Sequence, residues 1–299
     1  MSAPQKSAFQ GIALMVLAMA CFAVADTFVK ITSNQLSPPL VMFFLIAGAL
    51  VLFAGTALVQ GESLLDRRAL APVMWLRYVA EVVAMLGMVM ALTYVPLSIV
   101  GAITQASPLL VVFGAVVWLG ETVSWRRWSA LAVGFLGVLL IVQPGGAGFD
   151  ASVLWAVLAT IGLAVRDLTT RLVPPGLRAS SLGAFSMLAA TPVTVAWLIW
   201  AGEARMSPPP NIDWLMVITM VLLGSLGYAL LIVSLRIAEI SRVTPYRYSR
   251  VLFLLVIGVV VFGERPNWLV LLGACLIVGS GLYTMWRERQ VSHQTPPRA

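Results

Sequence analysis

The sequence predicts an all-α integral membrane protein of ten transmembrane helices, built as a five-plus-five inverted repeat with both termini cytoplasmic. Three observations carry this expectation: a composition too apolar for water, ten apolar segments separated by loops of alternating charge, and two matches between the chain's halves in nearly one register.

Composition comes first. Of 299 residues, 60% are hydrophobic and only 10% are charged, and mean hydropathy is +0.96. A soluble domain carries about a quarter charged residues, and disorder requires low hydrophobicity with high charge. Both classes are excluded. The net charge of +7 comes from 19 Lys and Arg against 12 Asp and Glu. In a membrane protein such an excess is read as basic cytoplasmic loops rather than as a nucleic-acid surface. Cys21 and Cys275 show neither a disulfide framework nor metal-ligand spacing, and no metal or cofactor is expected.

The apolar segments run over 9–30, 39–59, 72–93, 97–119, 128–143, 151–172, 180–200, 213–235, 242–262 and 268–286. Each is near the roughly 20 residues that cross a bilayer. The first is too long for the apolar core of a signal peptide, so an uncleaved helix is expected there. Turn formers such as Ser37-Pro38-Pro39 and Gln143-Pro144-Gly145-Gly146 close the segments. The expected division is a first repeat over 1–145, a second over 146–290 and a polar tail over 291–299. Counted from a cytoplasmic start, twelve cations fall on the inner side (Arg67, Arg68, Arg126 and Arg127 among them) and three on the outer side, Lys30, Arg205 and Arg265. That bias places both termini inside, in what is expected to be a bacterial inner membrane.

The repeat rests on two matches. Ala23-Val24-Ala25-Asp26, with Lys30 four residues on, matches Ala164-Val165-Arg166-Asp167 with Arg171. Gly120-Glu121-x3-Trp125 matches Gly263-Glu264-x3-Trp268. The offsets are 141 and 143. A repeat of five spans is odd, so the second copy enters from the opposite face, as in secondary transporters whose solute site lies at the midplane between halves.

With ten short helices, this repeat and a Gly-Glu followed by Trp after spans four and nine, the chain resembles the EamA-type drug/metabolite transporters over nearly its whole length. The resemblance implies alternating access and a central cavity lined mainly by spans three, four, eight and nine. Family members carry amino acids, amines, nucleosides, sugars and vitamins. The expected function is secondary transport of small metabolites, foremost amino-acid export; export of organic cations or drugs, or import of a nucleoside or vitamin, stands as the alternative. An enzyme is not expected: the one histidine, His293, lies in the tail, and no zinc, nucleophile-elbow or phosphate-loop motif occurs. The expected partners are a small solute and the lipid bilayer, with the chain monomeric or a weak homodimer; the glycines of spans five and ten read as close helix packing, with a dimer contact as a further option.

Ionisable residues inside a span cost roughly 2.5–3.5 kcal/mol on insertion scales and must face the bundle interior or each other. They are Asp26, Arg77, Glu81, Arg166, Asp167, Arg247 and Arg250. Spacing of four offers the pairs Arg77–Glu81, Asp26–Lys30 and Asp167–Arg171. Arg166, Arg247 and Arg250 then lack a local partner and suit a solute carboxylate, unless Arg166 or Arg250 reaches backbone carbonyls, Glu81 or Asp167 across the bundle. Span nine is polar in its first half, and α-helical spacing puts Thr244, Arg247 and Tyr248 on one face. Its mate, span four, offers Thr104, Gln105 and Pro108. The expected solute-binding set is Arg247, Arg250, Tyr248, Thr244, Gln105, Thr104, Tyr78, Glu81, Arg166 and Tyr228. Asp26, Asp167 and Lys30, with the helix-bending Pro108 and Pro245, are expected to couple or gate. Tyr246 reads as an interface anchor.

Overall fold

The computed structural model describes residues 3–294 except 65, 121–124, 145–149, 171, 175, 204–211 and 238–242. The described residues form α-helices joined by turns, with short 3-10 stretches and no strand. The helices are α1 (Ala3–Thr32), α2 (Pro38–Val59), α3 (Pro72–Tyr94), α4 (Leu97–Thr104), α5 (Ser107–Leu119), α6 (Trp125–Val142), α7 (Val153–Thr170), α8 (Ala179–Trp200), α9 (Trp214–Ile237), α10 (Ser249–Phe262) and α11 (Trp268–Gln294). A hydrocarbon environment permits little else, because every backbone N–H and C=O must be satisfied within the segment. Seven segments are long and apolar enough to cross a membrane, counting α4 and α5 as one; Trp128–Val142 and Trp268–Tyr283 are shorter apolar stretches. The last helix runs to Gln294, into the segment read as a tail.

Span four is interrupted near its middle, and span nine changes its winding without a break. Span four stops at Thr104, turns at Gln105 and Ala106, and restarts at Ser107, with Pro108 at the second helical position. Pro108 has no N–H to give, which suits a first turn and not a helix interior. Span nine begins as a 3-10 helix over Thr244–Tyr248 and becomes α-helical at Ser249.

The most extensive packing pairs α1 with α9, α3 with α7, α6 with α11 and α2 with α8, while α4 lies against α10. Exchanging each span for the one five later maps this set onto itself. Close approach at two of these crossings requires glycine. A Cβ on Gly162 would lie 2.6 Å from the Ala84 backbone nitrogen, and one on Gly87 would lie 2.6 Å from that of Ala159. Gly137 and Gly273 meet in the same way between α6 and α11. These two glycines pack against each other inside the bundle, as expected of close helix packing, while Gly279 faces open space.

The Gly-Glu pairs explain how the halves grip one another. There are four, at 61–62, 120–121, 202–203 and 263–264, and all four glycines have positive φ, from 63° to 76°. Each ends a helix in the left-handed conformation that glycine adopts freely. The following glutamate then reaches the beginning of the partner helix. Glu264 accepts hydrogen bonds from the Leu97 and Ser98 amides at the start of α4, the latter at 2.9 Å. Glu203 accepts from Ser37, the residue before α2. Glu62 accepts from Ser180 at 3.2 Å and from Ser181 in the first turn of α8. Glu121 lies outside the described residues. Carboxylates at helix N-termini satisfy free amides and complement the dipole. Glu264→Ala is therefore expected to lower the stability of the purified protein by about 1–2 kcal/mol. Glu264→Gln, which keeps an acceptor, should lose less. An unchanged thermal midpoint for the alanine variant would remove the cap from the account.

Candidate functional site

Between the halves lies a cavity of about 180 Å³. Its walls are Met19 and Phe22 of α1, Glu81, Ala84, Met85 and Met88 of α3, and Thr104, Gln105, Ser107 and Pro108 around the break in span four. Leu163 and Arg166 of α7, Tyr228 and Leu231 of α9, and Arg247 and Arg250 of span nine complete it. Spans one and six thus join the four implied by the resemblance. Two larger grooves open between helices elsewhere, one of about 430 Å³ walled almost wholly by apolar groups and one of about 400 Å³ whose single ionisable lining residue is Arg178. The smaller cavity is the candidate, because it gathers the ionisable residues that a bilayer otherwise penalises.

Those residues form a connected network. Arg77, 1% exposed, keeps the expected contact with Glu81 at 3.7 Å. Its Nε donates to Thr170 at 3.1 Å, and its other nitrogens reach Ser186 and the Tyr228 hydroxyl. Arg166 joins Glu81 at 3.3 Å and Asp167 at 2.8 Å. Arg247 meets the other oxygen of Asp167 at 3.2 Å. Separately, Arg250 pairs with Asp26 at 2.5 Å and lies over the Phe22 ring, 5.3 Å from its centroid. Among the described residues, four arginines thus face three carboxylates, which leaves the cluster one positive charge in excess.

This corrects two expectations. Arg166 takes the alternative reading and reaches Glu81 across the bundle, while Arg247 and Arg250, expected without a partner, each meet an aspartate of another helix. Asp26 does not pair with Lys30 along its own helix. Lys30 instead donates to the Leu92 and Val95 carbonyls at 3.2 and 2.7 Å, capping the end of α3, and its ammonium sits 5.7 Å from the Phe262 ring centroid. Cations favour the C-terminal end of a helix dipole. The expected partner of Asp167, Arg171, lies outside the described residues.

Of the expected solute-binding residues, Glu81, Thr104, Gln105, Arg166, Tyr228, Arg247 and Arg250 line the cavity, with Pro108 from the gating set. Gln105 also donates to the Arg247 carbonyl at 3.4 Å, tying spans four and nine together. Asp26 and Asp167 stand behind the wall as partners of lining arginines. Tyr78 and Tyr248 do not line it. The Tyr78 hydroxyl donates to the Ala69 carbonyl at 2.9 Å and its ring packs on Trp75. The Tyr248 ring is buried against Gly281 of α11. Thr244 and Pro245 belong to the 3-10 turn, and their side chains lie outside the described set. Tyr246 is exposed, as expected of an anchor. Missed entirely were Ser107 and the apolar wall of Met19, Phe22, Met85 and Met88. Ser107 carried a signal, since it lies 143 residues before Arg250, the offset of the Gly-Glu match.

The EamA-like transporter family model matches the chain twice, over residues 9–143 and 150–286. The S-adenosylmethionine uptake transporter of Rickettsia prowazekii (strain Madrid E) is 23% identical, covering 95% of both chains. The riboflavin transporter of Vibrio cholerae serotype O1 is 25% identical, covering 94% of this chain and 95% of its own. The pseudopaline exporter of Pseudomonas aeruginosa (strain UCBPP-PA14) is 25% identical, covering 90% and 93%. One crystal structure superposes with a TM-score of 0.58 at 16% identity, covering 97% of this chain and 99% of that one, a likeness of fold. Similar in sequence to transporters and folded around a charged interior cavity, the chain belongs to the EamA-like transporter family.

Proposed function

We propose that this protein is a secondary transporter of the bacterial inner membrane that moves small carboxylate-bearing metabolites, amino acids and their derivatives, by alternating access. Its frame is ten spans in two inverted halves, 1–145 and 146–290, with both ends of the chain cytoplasmic. The self-mapping helix packing, the double family match and the joining of one mate's end to the other's beginning support that frame. The observation that carries the solute class is the cavity's charge. Among the described residues, four arginines, Arg77 buried and the others half-buried, against three carboxylates leave a site one unit positive, beside an apolar wall of methionines and Phe22. Such a site favours a monoanionic head on an apolar or aromatic body. S-adenosylmethionine, the solute named for the Rickettsia relative, carries an α-carboxylate; riboflavin carries none and is the discriminating rival.

The test is counterflow in proteoliposomes with labelled L-phenylalanine, S-adenosylmethionine and riboflavin. Protein-dependent flux of either carboxylate solute is the expected result. Flux of riboflavin alone, or no flux above protein-free liposomes for any of the three, would overturn the reading.

A further inference from the structure

Two donors in the cavity wall have no partner among the described residues: the Ser107 hydroxyl and the Arg250 Nε. Ser107 is 4% exposed, and a buried polar group left unsatisfied costs about 1–3 kcal/mol. Such a group calls for an explanation. The two residues are equivalent in the repeat, 143 positions apart. Each stands at the start of the second half of its span: Ser107 opens α5, of 13 residues, and Arg250 is the second residue of α10, of 14. α5 opens at the cavity after the turn at Gln105 and Ala106, whereas α10 follows its 3-10 turn without a break, the Ser249 amide bonded to the Tyr246 and Arg247 carbonyls. Half-helix N-termini at a midplane site are suited to anionic solute groups. The Arg250 guanidinium is already oriented, with Nη2 on Asp26 and its face on Phe22.

We infer that the solute's carboxylate docks between these two residues, one oxygen on the Ser107 hydroxyl and the other on Arg250 Nε. This rests on the transport reading above and makes it specific. Among the described residues the cluster has one positive charge to spare, which a single carboxylate matches and a phosphate monoester dianion would exceed. The apolar body lies along Met19, Phe22 and Met88. Arg250 Nε, which can only donate, is then the group that favours an acid over its amide, while the Ser107 hydroxyl, donor and acceptor at once, serves the second oxygen.

The experiment compares L-phenylalanine with L-phenylalaninamide in proteoliposomes of wild-type, Ser107→Ala and Ser107→Thr proteins. Wild type should carry phenylalanine, with the amide competing at least about tenfold more weakly, the scale of one hydrogen bond to a charged group. Ser107→Ala should raise the KM for phenylalanine about tenfold at an unchanged thermal midpoint. Ser107→Thr, which keeps the hydroxyl, should restore most of the difference. A lower maximal flux or thermal midpoint at unaltered KM would mean a merely structural role and would overturn the inference. An acid-to-amide ratio near one in the wild type would overturn it without any variant. Wild-type phenylalanine flux reports on the transport reading, and the KM of Ser107→Ala reports on the subsite, so the two failures are distinguishable.

Discussion

Asp26→Leu is expected to destabilise the folded protein by about 3–5 kcal/mol, the cost of leaving a buried guanidinium without its counter-charge. The pair is suited to the test because it stands apart from the main network. Asp26 and Arg250 meet at 2.5 Å with side chains 12% and 16% exposed, and no second carboxylate reaches Arg250 among the described residues. Asp167 or Glu81 would be poorer choices, since each is held by two arginines. In the double variant Asp26→Leu/Arg250→Leu both charges leave together, and most of the lost stability should return, because replacing a whole buried pair with apolar groups is often neutral or better. Transport of carboxylate solutes should not return, since the docking guanidinium is gone. Thermal midpoints of the purified protein and flux in liposomes separate the two effects. Equal instability in the single and double variants would show that the pair is not what stabilises this region, and would shift the cause to packing around Phe22.

Gly162→Val is expected to be the most damaging apolar substitution in the bundle. The added Cβ would sit 2.6 Å from the Ala84 nitrogen, 2.8 Å from its Cα and 3.0 Å from the Ala80 carbonyl. All three are backbone atoms of α3, so no side chain can swing aside and the two helices must separate. Overpacking of this kind costs about 1–3 kcal/mol and sometimes more. Separation would also move Glu81 on α3 away from Arg166 on α7, which now meet at 3.3 Å. Loss of the monodisperse peak in size exclusion, together with loss of flux, is the expected readout. Gly279→Val is the control: nothing lies within 4 Å of its added Cβ, and it should be tolerated. If both variants behaved alike, close contact between α3 and α7 would not be what holds this crossing.

Much of the fold was legible because a hydrocarbon solvent leaves a chain few options. The apolar runs became helices nearly where they were drawn, and the in-span charges marked the cavity because nothing else makes them affordable. What sequence spacing could not supply was the choice among partners. Asp26 has Lys30 four residues away, yet it binds Arg250, 224 residues distant; helical neighbours are a local option, and packing decides whether it is taken. Lys30 lies close enough to the end of α1 for its long side chain to reach the last carbonyls of α3. Tyr248 was misplaced for a different reason. Its assignment assumed 3.6 residues per turn, but Thr244–Tyr248 is a 3-10 helix with three, and the tighter winding turns the ring toward Gly281. Tyr78 follows Arg77 by one residue, roughly a quarter-turn of helix; with the guanidinium in the network, the ring falls on the Ala69 side. Two of the four Gly-Glu pairs, at 61–62 and 202–203, went unread although their offset of 141 equals that of the aspartates.

The crossed glutamate caps also set a timetable for biogenesis. Ser37 waits for Glu203, 166 residues downstream, and Leu97 waits for Glu264, 167 residues downstream. While the ribosome is still adding the second half, the leading ends of α2 and α4 are in the bilayer with those bonds unmade. Contacts of such long sequence separation form late and slowly. Neither half is a finished product of translation by itself, and a nascent chain halted near its middle should be a ready substrate for membrane quality-control proteases.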